Sequence, residues 1–255
     1  MLSKNKIKYI RSLELKKNRK EEQVFIAEGH KLVDDLLGHF SCRLILATPD
    51  WLTKHTEVIA DEIVEVSQDE LSRVSSLKTP QDVLAIFEQP NYTVDIHVVS
   101  DSLCLALDDV QDPGNLGTIL RTGEGAGITG VIMTNNTVDI FNPKTIRATM
   151  GSIYRVPFLY VNDLSETLEK LHAHGVHTYA AHLQGETFYD TFSFTEPTAF
   201  LIGNEGNGLT KETADKAESY LKIPMEGQVE SLNASVASAL LMYEAHRQRS
   251  VKRNK

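Results

Sequence analysis

Leu103-Cys-Leu-Ala-Leu107-Asp-Asp-Val-Gln-Asp-Pro-Gly-Asn115-Leu-Gly-Thr-Ile-Leu-Arg121-Thr-Gly-Glu124 runs from five apolar residues through a polar turn into a helical pattern. A continuous apolar run of that length suits a strand buried on both faces. Pro113-Gly114 makes the turn, and Asn115 suits the N-cap of a helix over 115–126. Asn115 and Arg121 stand six apart, so they do not share a helical stripe; with Asn115 as the cap, both can border one cleft. The same unit recurs downstream. Strands are expected at 130–133, 156–160, 176–181, 199–202 and 220–223, with helices at 163–173, 210–218 and 232–248. Strand–helix alternation of this kind predicts an α/β fold with a mainly parallel sheet covered on both faces.

Upstream the elements are smaller. Phe25-Ile-Ala leads into a helical face of Leu32, Val33, Leu36 and Leu37, with Gly38 as its stop. Residues 42–47 and 83–87 read as strands. A short helix is expected after Thr48-Pro49, and Ser67-Gln-Asp-Glu70 fits a capping box. The polar segment around Pro90 lacks periodicity, placing a domain boundary near 88–100: a front domain over 1–90 and a second over 100–255.

Composition narrows the classes. The chain has 255 residues, 41% hydrophobic and 24% charged, enough for a sizeable core. There is no apolar run of membrane-spanning length and no apolar stretch behind the basic start, so neither a spanning helix nor a secretory signal is expected. Cys42 and Cys104 are the only cysteines, which excludes a disulfide framework and suits a reduced, cytoplasmic protein. The net charge of −9 hides an asymmetry. Residues 1–20 carry eight basic groups and one acid, residues 247–255 five basic groups and no acid, and 21–246 hold 13 basic against 34 acidic residues. Basic ends on an acidic body suit a polyanionic partner; solvated, frayed termini are the alternative.

Two further segments carry glycine or small residues after strands, where open parallel sheets bind ligands. Phe200-Leu-Ile-Gly203-Asn-Glu205-Gly206-Asn-Gly208 puts three glycines within six positions, allowing close backbone approach. Its Glu205 disfavours phosphate and suits a neutral or cationic ligand. Beyond Ile223-Pro-Met225, Ser231 or Asn233 can cap a long helix with small residues at Ala234, Ala237 and Ser238.

In this order and spacing, Asn115-x5-Arg121, the Ile202–Gly208 loop, and Ile223-Pro-Met225 with Ser231-Leu-Asn233 resemble the three motifs of the SpoU (TrmH-type) family. These are RNA 2′-O-ribose methyltransferases of the SPOUT superfamily, and the resemblance covers about 103–248. Asn142-Pro-Lys144-Thr-Ile-Arg147-Ala-Thr-Met-Gly151 is similar to the stretch between the family's first and second motifs, particularly in its ribosomal-RNA branch. Phe25-Ile-Ala-Glu28-Gly29 is similar to the small α/β substrate-binding domain that many members carry, a module related to RNA-binding ribosomal proteins.

The resemblance implies a deep trefoil knot in the C-terminal part, against the general rule that chains do not knot. It implies S-adenosylmethionine as cofactor, touched by Gly203, Ile223 and Leu232, with Asn204 and Met225 beside them. Arg121 is the implied essential group, as general base or, because guanidinium keeps its proton, as a stabiliser of the alkoxide. Asn115 and Asn233 would orient Arg121 or the ribose, with Ser231 assisting. Glu205 would either add negative potential near the sulfonium or order the loops. Lys144 and Arg147 would meet RNA phosphates, surface ion pairs being the ordinary alternative. Arg11 and Lys16 belong to the basic stretch expected to grip RNA. A homodimer through the knot region and final helix is implied, and the stripe Leu232, Val236, Leu240 and Tyr243 suits either that or an intramolecular core.

Other signals are set aside. Gly125-x-Gly127-x-x-Gly130 follows a helix rather than a strand, the wrong context for dinucleotides. His172 and His174 suit a helix end better than a metal, and no metal is expected. The absence of G-x-S-x-G weakens a hydrolase reading. The function expected is S-adenosylmethionine-dependent 2′-O-methylation of structured RNA, most readily ribosomal. Transfer-RNA ribose or RNA base methylation, and a non-catalytic RNA-binding or ribosome-assembly protein, are the alternatives.

Overall fold

The computed structural model describes residues 2–91 and 94–253. Tyr92 and Thr93, inside the expected boundary segment, and Asn254 and Lys255 of the basic end lie outside the described residues. The chain forms two compact units. Residues 139–154 group with the residues before 92, and the second unit takes 94–138 and 155–253.

The first unit contains α1 (Lys4–Ser12), α2 (Lys16–Glu22), β1 (Val24–Glu28), α3 (His30–Leu36), β2 (Cys42–Ala47), α4 (Pro49–Lys54), β3 (Glu62–Glu65), α5 (Gln68–Ser72) and β4 (Val83–Glu88). Its sheet runs β1-β4-β2-β3, with antiparallel β1/β4 and β4/β2 pairs and a parallel β2/β3 pair. Every residue of β1 is buried, because both faces are covered. Ile26, Leu44, Leu84 and Ile86 pack with Ile10 and Leu13. Phe25 meets Phe87, Phe40 and Phe141, with ring centroids 5.6, 5.2 and 5.3 Å away. The basic start is therefore helical, with a buried apolar face, rather than frayed. The capping box is present: the Ser67 hydroxyl accepts from the Glu70 amide while the Glu70 carboxylate accepts from Ser67.

The second unit contains α6 (Ile96–Ser100), β5 (Leu103–Leu107), α7 (Pro113–Ala126), β6 (Gly130–Thr134), β7 (Phe158–Val161), α9 (Leu164–Ala173), β8 (His177–Ala181), β9 (Thr187–Phe188), β10 (Thr198–Ile202), α10 (Lys211–Lys216), β11 (Ser219–Lys222) and α11 (Ala234–Arg253); α8 (Pro143–Thr149) belongs to the first. Seven parallel strands run in the order β7-β6-β5-β10-β8-β11-β9. The adjacent interior strands β6, β5 and β10 are buried throughout, as continuous apolar runs require. This is the mainly parallel α/β sheet expected.

One expectation is corrected. Asn115 does not cap α7: Asp112 does, its Oδ1 accepting from the Asn115 amide at 2.9 Å. Pro113 then occupies the first helical position, where its missing N–H costs nothing. Asn115 is thus a buried residue of the first turn. At the other end of α7, Gly127 takes the left-handed conformation of a C-cap (φ +77°), so the glycine triplet there is a helix stop.

Candidate cofactor and catalytic site

Three loops meet at the carboxyl ends of β5, β10 and β11. Asp108, buried just after β5, accepts from the Thr210 amide (2.9 Å) and hydroxyl (2.7 Å). Asp109 adopts a left-handed backbone (φ +59°) held by Thr134, whose hydroxyl donates to its carboxylate at 2.7 Å. That turn presents the Asp109 carbonyl to the Asn204 side-chain amide at 2.9 Å.

Glu205 supplies the central link. Its two oxygens accept from the Gln111 amide (3.0 Å), the Asp112 amide (3.0 Å) and the Asn115 side-chain amide (2.8 Å). The Asn115 carbonyl oxygen accepts from the Asn233 side chain at 2.9 Å. Asn233 in turn caps α11, accepting from the Ser235 amide at 2.9 Å. One hydrogen-bonded chain thus ties the second loop to the first and the first to the third. Burial pushes the Glu205 carboxyl up, but the bonds from Asn115, Gln111 and Asp112 outweigh it, and the group lies below its ordinary 4.5. Of the two roles expected for Glu205, its bonds are those of loop ordering.

The glycine loop closes on itself. Asn204 and Gly208 exchange both backbone hydrogen bonds at 2.9 Å, and the Asn204 Oδ1 accepts from the Gly206 and Asn207 amides. A Cβ at Gly203 would lie 2.0 Å from the Gly208 carbonyl carbon and 2.1 Å from the Leu209 nitrogen, so only glycine fits. Beside this turn lies a cavity of about 370 Å³, lined by all five residues expected at the cofactor: Gly203, Asn204, Ile223, Met225 and Leu232. Its size and its mixture of apolar walls and exposed backbone suit a nucleoside-sized ligand. Glu205 and Ser231 also line it. Sequence reasoning missed one wall, Ala181–Gln184; the only signal was its place at the carboxyl end of β8.

Neither Asn115 nor Arg121 lines the cavity. Arg121 is exposed on α7 and has no hydrogen-bond or ion-pair partner among the described residues. Next to it on the same helix, Thr118 and Thr122 form one wall of a second hollow, whose other wall is α11 with Val236, Leu240 and Tyr243. These three are 47, 38 and 49% exposed, which excludes the intramolecular-core reading of that part of the stripe.

The four residues expected at RNA all fall in the first unit. Lys16 is exposed at the start of α2, Arg11 donates from Nε to the Arg73 carbonyl at 2.6 Å, and Lys144 and Arg147 ride on α8. His172, His174 and His177 each hold a separate partner: the Thr178 hydroxyl, the Lys170 carbonyl and the Glu218 carboxylate. Among the described residues no group of three His, Cys, Asp or Glu is placed to hold a metal.

Residues 102–243 match the SpoU rRNA Methylase family, and residues 4–85 match the MRM3-like substrate binding domain. The chain belongs to the SpoU family. Several relatives match along nearly the whole length. It is 33% identical over 243 residues to the 23S rRNA (guanosine(2553)-2′-O)-methyltransferase RlmP of Bacillus subtilis, covering 93% of this chain and 94% of that one. Among solved structures, an RNA methyltransferase described as TrmH-family from Porphyromonas gingivalis superposes with a TM-score of 0.86 at 38% identity, covering 97 and 99% of the two chains. An AdoMet-bound rRNA methyltransferase from Sinorhizobium meliloti gives 0.84 at 36% identity, covering 97 and 96%. This SpoU chain is accordingly an RNA methyltransferase with S-adenosylmethionine as its cofactor. No helix among its described residues is long and apolar enough to cross a membrane.

Proposed function

We propose that this SpoU protein methylates a ribose 2′-hydroxyl in structured ribosomal RNA. The observation that carries the reading is the single hydrogen-bonded chain Glu205–Asn115–Asn233, which assembles three distant loops around one cavity lined by glycine backbone. Gly203, Asn204, Ile223, Met225 and Leu232 hold the cofactor, and Ser231 assists at the rim. The bound cofactor supplies a methyl group on a positively charged sulfur. Glu205, Asn115 and Asn233 are positioning residues, since their polar atoms are occupied with one another.

Arg121 is the catalytic residue. A guanidinium keeps its proton at neutral pH, so Arg121 would donate to the neighbouring phosphate and to the developing alkoxide while the 2′-oxygen gains the methyl group, the carbon–sulfur bond breaks to leave a neutral thioether, and the hydroxyl proton passes to solvent water. It stands on the helix that Glu205 anchors, with all its donors available. Bringing the oxygen and the methyl carbon into line supplies much of the remaining acceleration.

The front domain, 1–90, together with 139–154, binds the RNA through Arg11, Lys16, Lys144 and Arg147, while 100–255 otherwise forms the methyltransferase domain with its trefoil knot. The protein acts in the cytoplasm as a homodimer. The apolar hollow between α7 and α11 is the surface a second copy covers, because both walls belong to helices that carry site residues. Light scattering of Leu240→Glu should then show monomers, with methyl transfer lost; a dimer that persists removes this interface.

The decisive experiment incubates the protein with radiolabelled S-adenosylmethionine and total RNA, then maps the label. Label on a 2′-oxygen of ribosomal RNA is expected. Label on transfer RNA or on a base would replace the substrate, and RNA binding without transfer would make the protein a non-catalytic binder.

A further inference from the structure

We infer that Glu28 and Ser76 are positioning residues that hold the Arg147 guanidinium ready for an RNA phosphate, an inference that rests on the RNA-binding reading above. Glu28 ends β1 with only 8% of its surface exposed. Its carboxylate accepts from the Ser76 amide (3.0 Å), the Ser76 hydroxyl (2.8 Å) and the Ser75 hydroxyl. Among the described residues it forms no ion pair of its own. A buried carboxylate without a paired cation is costly to keep, so its retention calls for a charge nearby.

That charge is reached through Ser76. Arg147 donates from Nη1 to the Ser76 Oγ at 2.9 Å. Arginine has no acceptor, so the direction of every bond is settled: Arg147 gives a proton to Ser76, and the hydroxyl gives its own to Glu28. The carboxylate polarises the hydroxyl and thereby strengthens its grip on the guanidinium. At 8% exposure, with its oxygens bonded to the two serines, the carboxylate is largely withdrawn from an incoming phosphate.

The remaining donors of Arg147 have no partner among the described residues, and the side chain is half-buried. Its helix is immobilised from below. Thr145 and Ile146 are fully buried, and Phe141 stacks on Phe25. Asp139, at the start of the segment, receives the buried Arg19. A planar fork on a fixed helix, with one arm tied and the others open, is the arrangement that favours phosphate, because little side-chain freedom is left to lose.

The test measures binding of full-length protein to purified bacterial 23S ribosomal RNA between 50 and 200 mM KCl, beside S-adenosylmethionine affinity and melting temperature. Arg147→Ala should weaken RNA binding about tenfold and lower the salt slope by about one. Ser76→Ala should weaken it about threefold to fivefold, Ser76→Thr should restore it, and Glu28→Gln should resemble Ser76→Ala. The double variant Ser76→Ala/Arg147→Ala should bind no worse than Arg147→Ala alone. Additive losses, or wild-type affinity in Ser76→Ala alongside a weakened Arg147→Ala, overturn the inference. Wild-type affinity and slope in Arg147→Ala also overturn it, whether or not the protein transfers methyl groups; absence of transfer with these RNA effects intact would sink the methylation reading alone.

Discussion

Arg19 in the first unit and Arg121 in the second are the same residue in opposite circumstances. Arg19 is 1% exposed and uses four of its five donors: it reaches the Leu13 and Glu14 carbonyls at 2.9 and 2.7 Å and places two nitrogens on one Asp139 oxygen at 3.1 and 2.5 Å. Arg121 stands exposed on a helix whose first turn is pinned by Glu205, and it has no partner among the described residues. A buried cation with nearly all its donors used holds the protein together. One kept open on a rigid support is placed for an anion from outside. The difference separates a residue that builds the fold from one left open for the proposed chemistry.

The comparison breaks most sharply at Arg121→Ala. Methyl transfer should fall about a thousandfold, roughly 4 kcal/mol of lost transition-state stabilisation, while calorimetric S-adenosylmethionine affinity stays within about twofold. Retained turnover would remove Arg121 from the mechanism. Asp139→Ala should have the converse profile. Stranding the buried Arg19 should cost about 3 kcal/mol in denaturant unfolding, with cofactor affinity unmoved. An unchanged unfolding midpoint would show that the pair is not structural.

A smaller effect is expected of Gly203→Ala. The added methyl group meets backbone that cannot yield cheaply, so cofactor affinity should drop by tens of times, about 2 kcal/mol. Normal cofactor affinity would mean that this turn does not form the cradle. The smallest effect is on the acid limb. The folded Glu205 carboxyl is depressed below 4.5, so its stabilising contribution is complete above that pH and lost as pH falls through the lower folded value. Because the group is largely exposed, this amounts to under about 1 kcal/mol, read as a shallower acid limb of unfolding in Glu205→Gln. An acid limb identical to wild type would remove Glu205 from the linkage.

The elements with strong local patterns were legible in the sequence. β2 and β5 begin and end where their apolar runs do, and the capping box at Ser67 is where the side chains demand it. β3 was not legible, because Glu62-Ile-Val-Glu65 has only two apolar residues on an exposed edge. Nor was α8, whose seven residues show no amphipathic period because Thr145 and Thr149 are buried along with Ile146. Asn115 and Asp112 are both cap-forming types, and the proline between them decided for Asp112, a clue already present in the sequence. At the site, the order of the three motifs named the family and five of the residues that line the cavity. The lining wall at 181–184 carried no motif and became visible only once β8 was placed beside β10.

The sequence alone determined the kinds of elements, their alternation and the identity of the motif residues, because helix period, strand burial and turn chemistry act over a few neighbours. Which charges are satisfied and which are open was decided only in three dimensions. Arg19 finds Asp139 across 120 positions and Glu205 finds Asn115 across 90. The partner that neutralises a charge is set by packing, and packing brings together residues whose separation along the chain carries no trace of their contact.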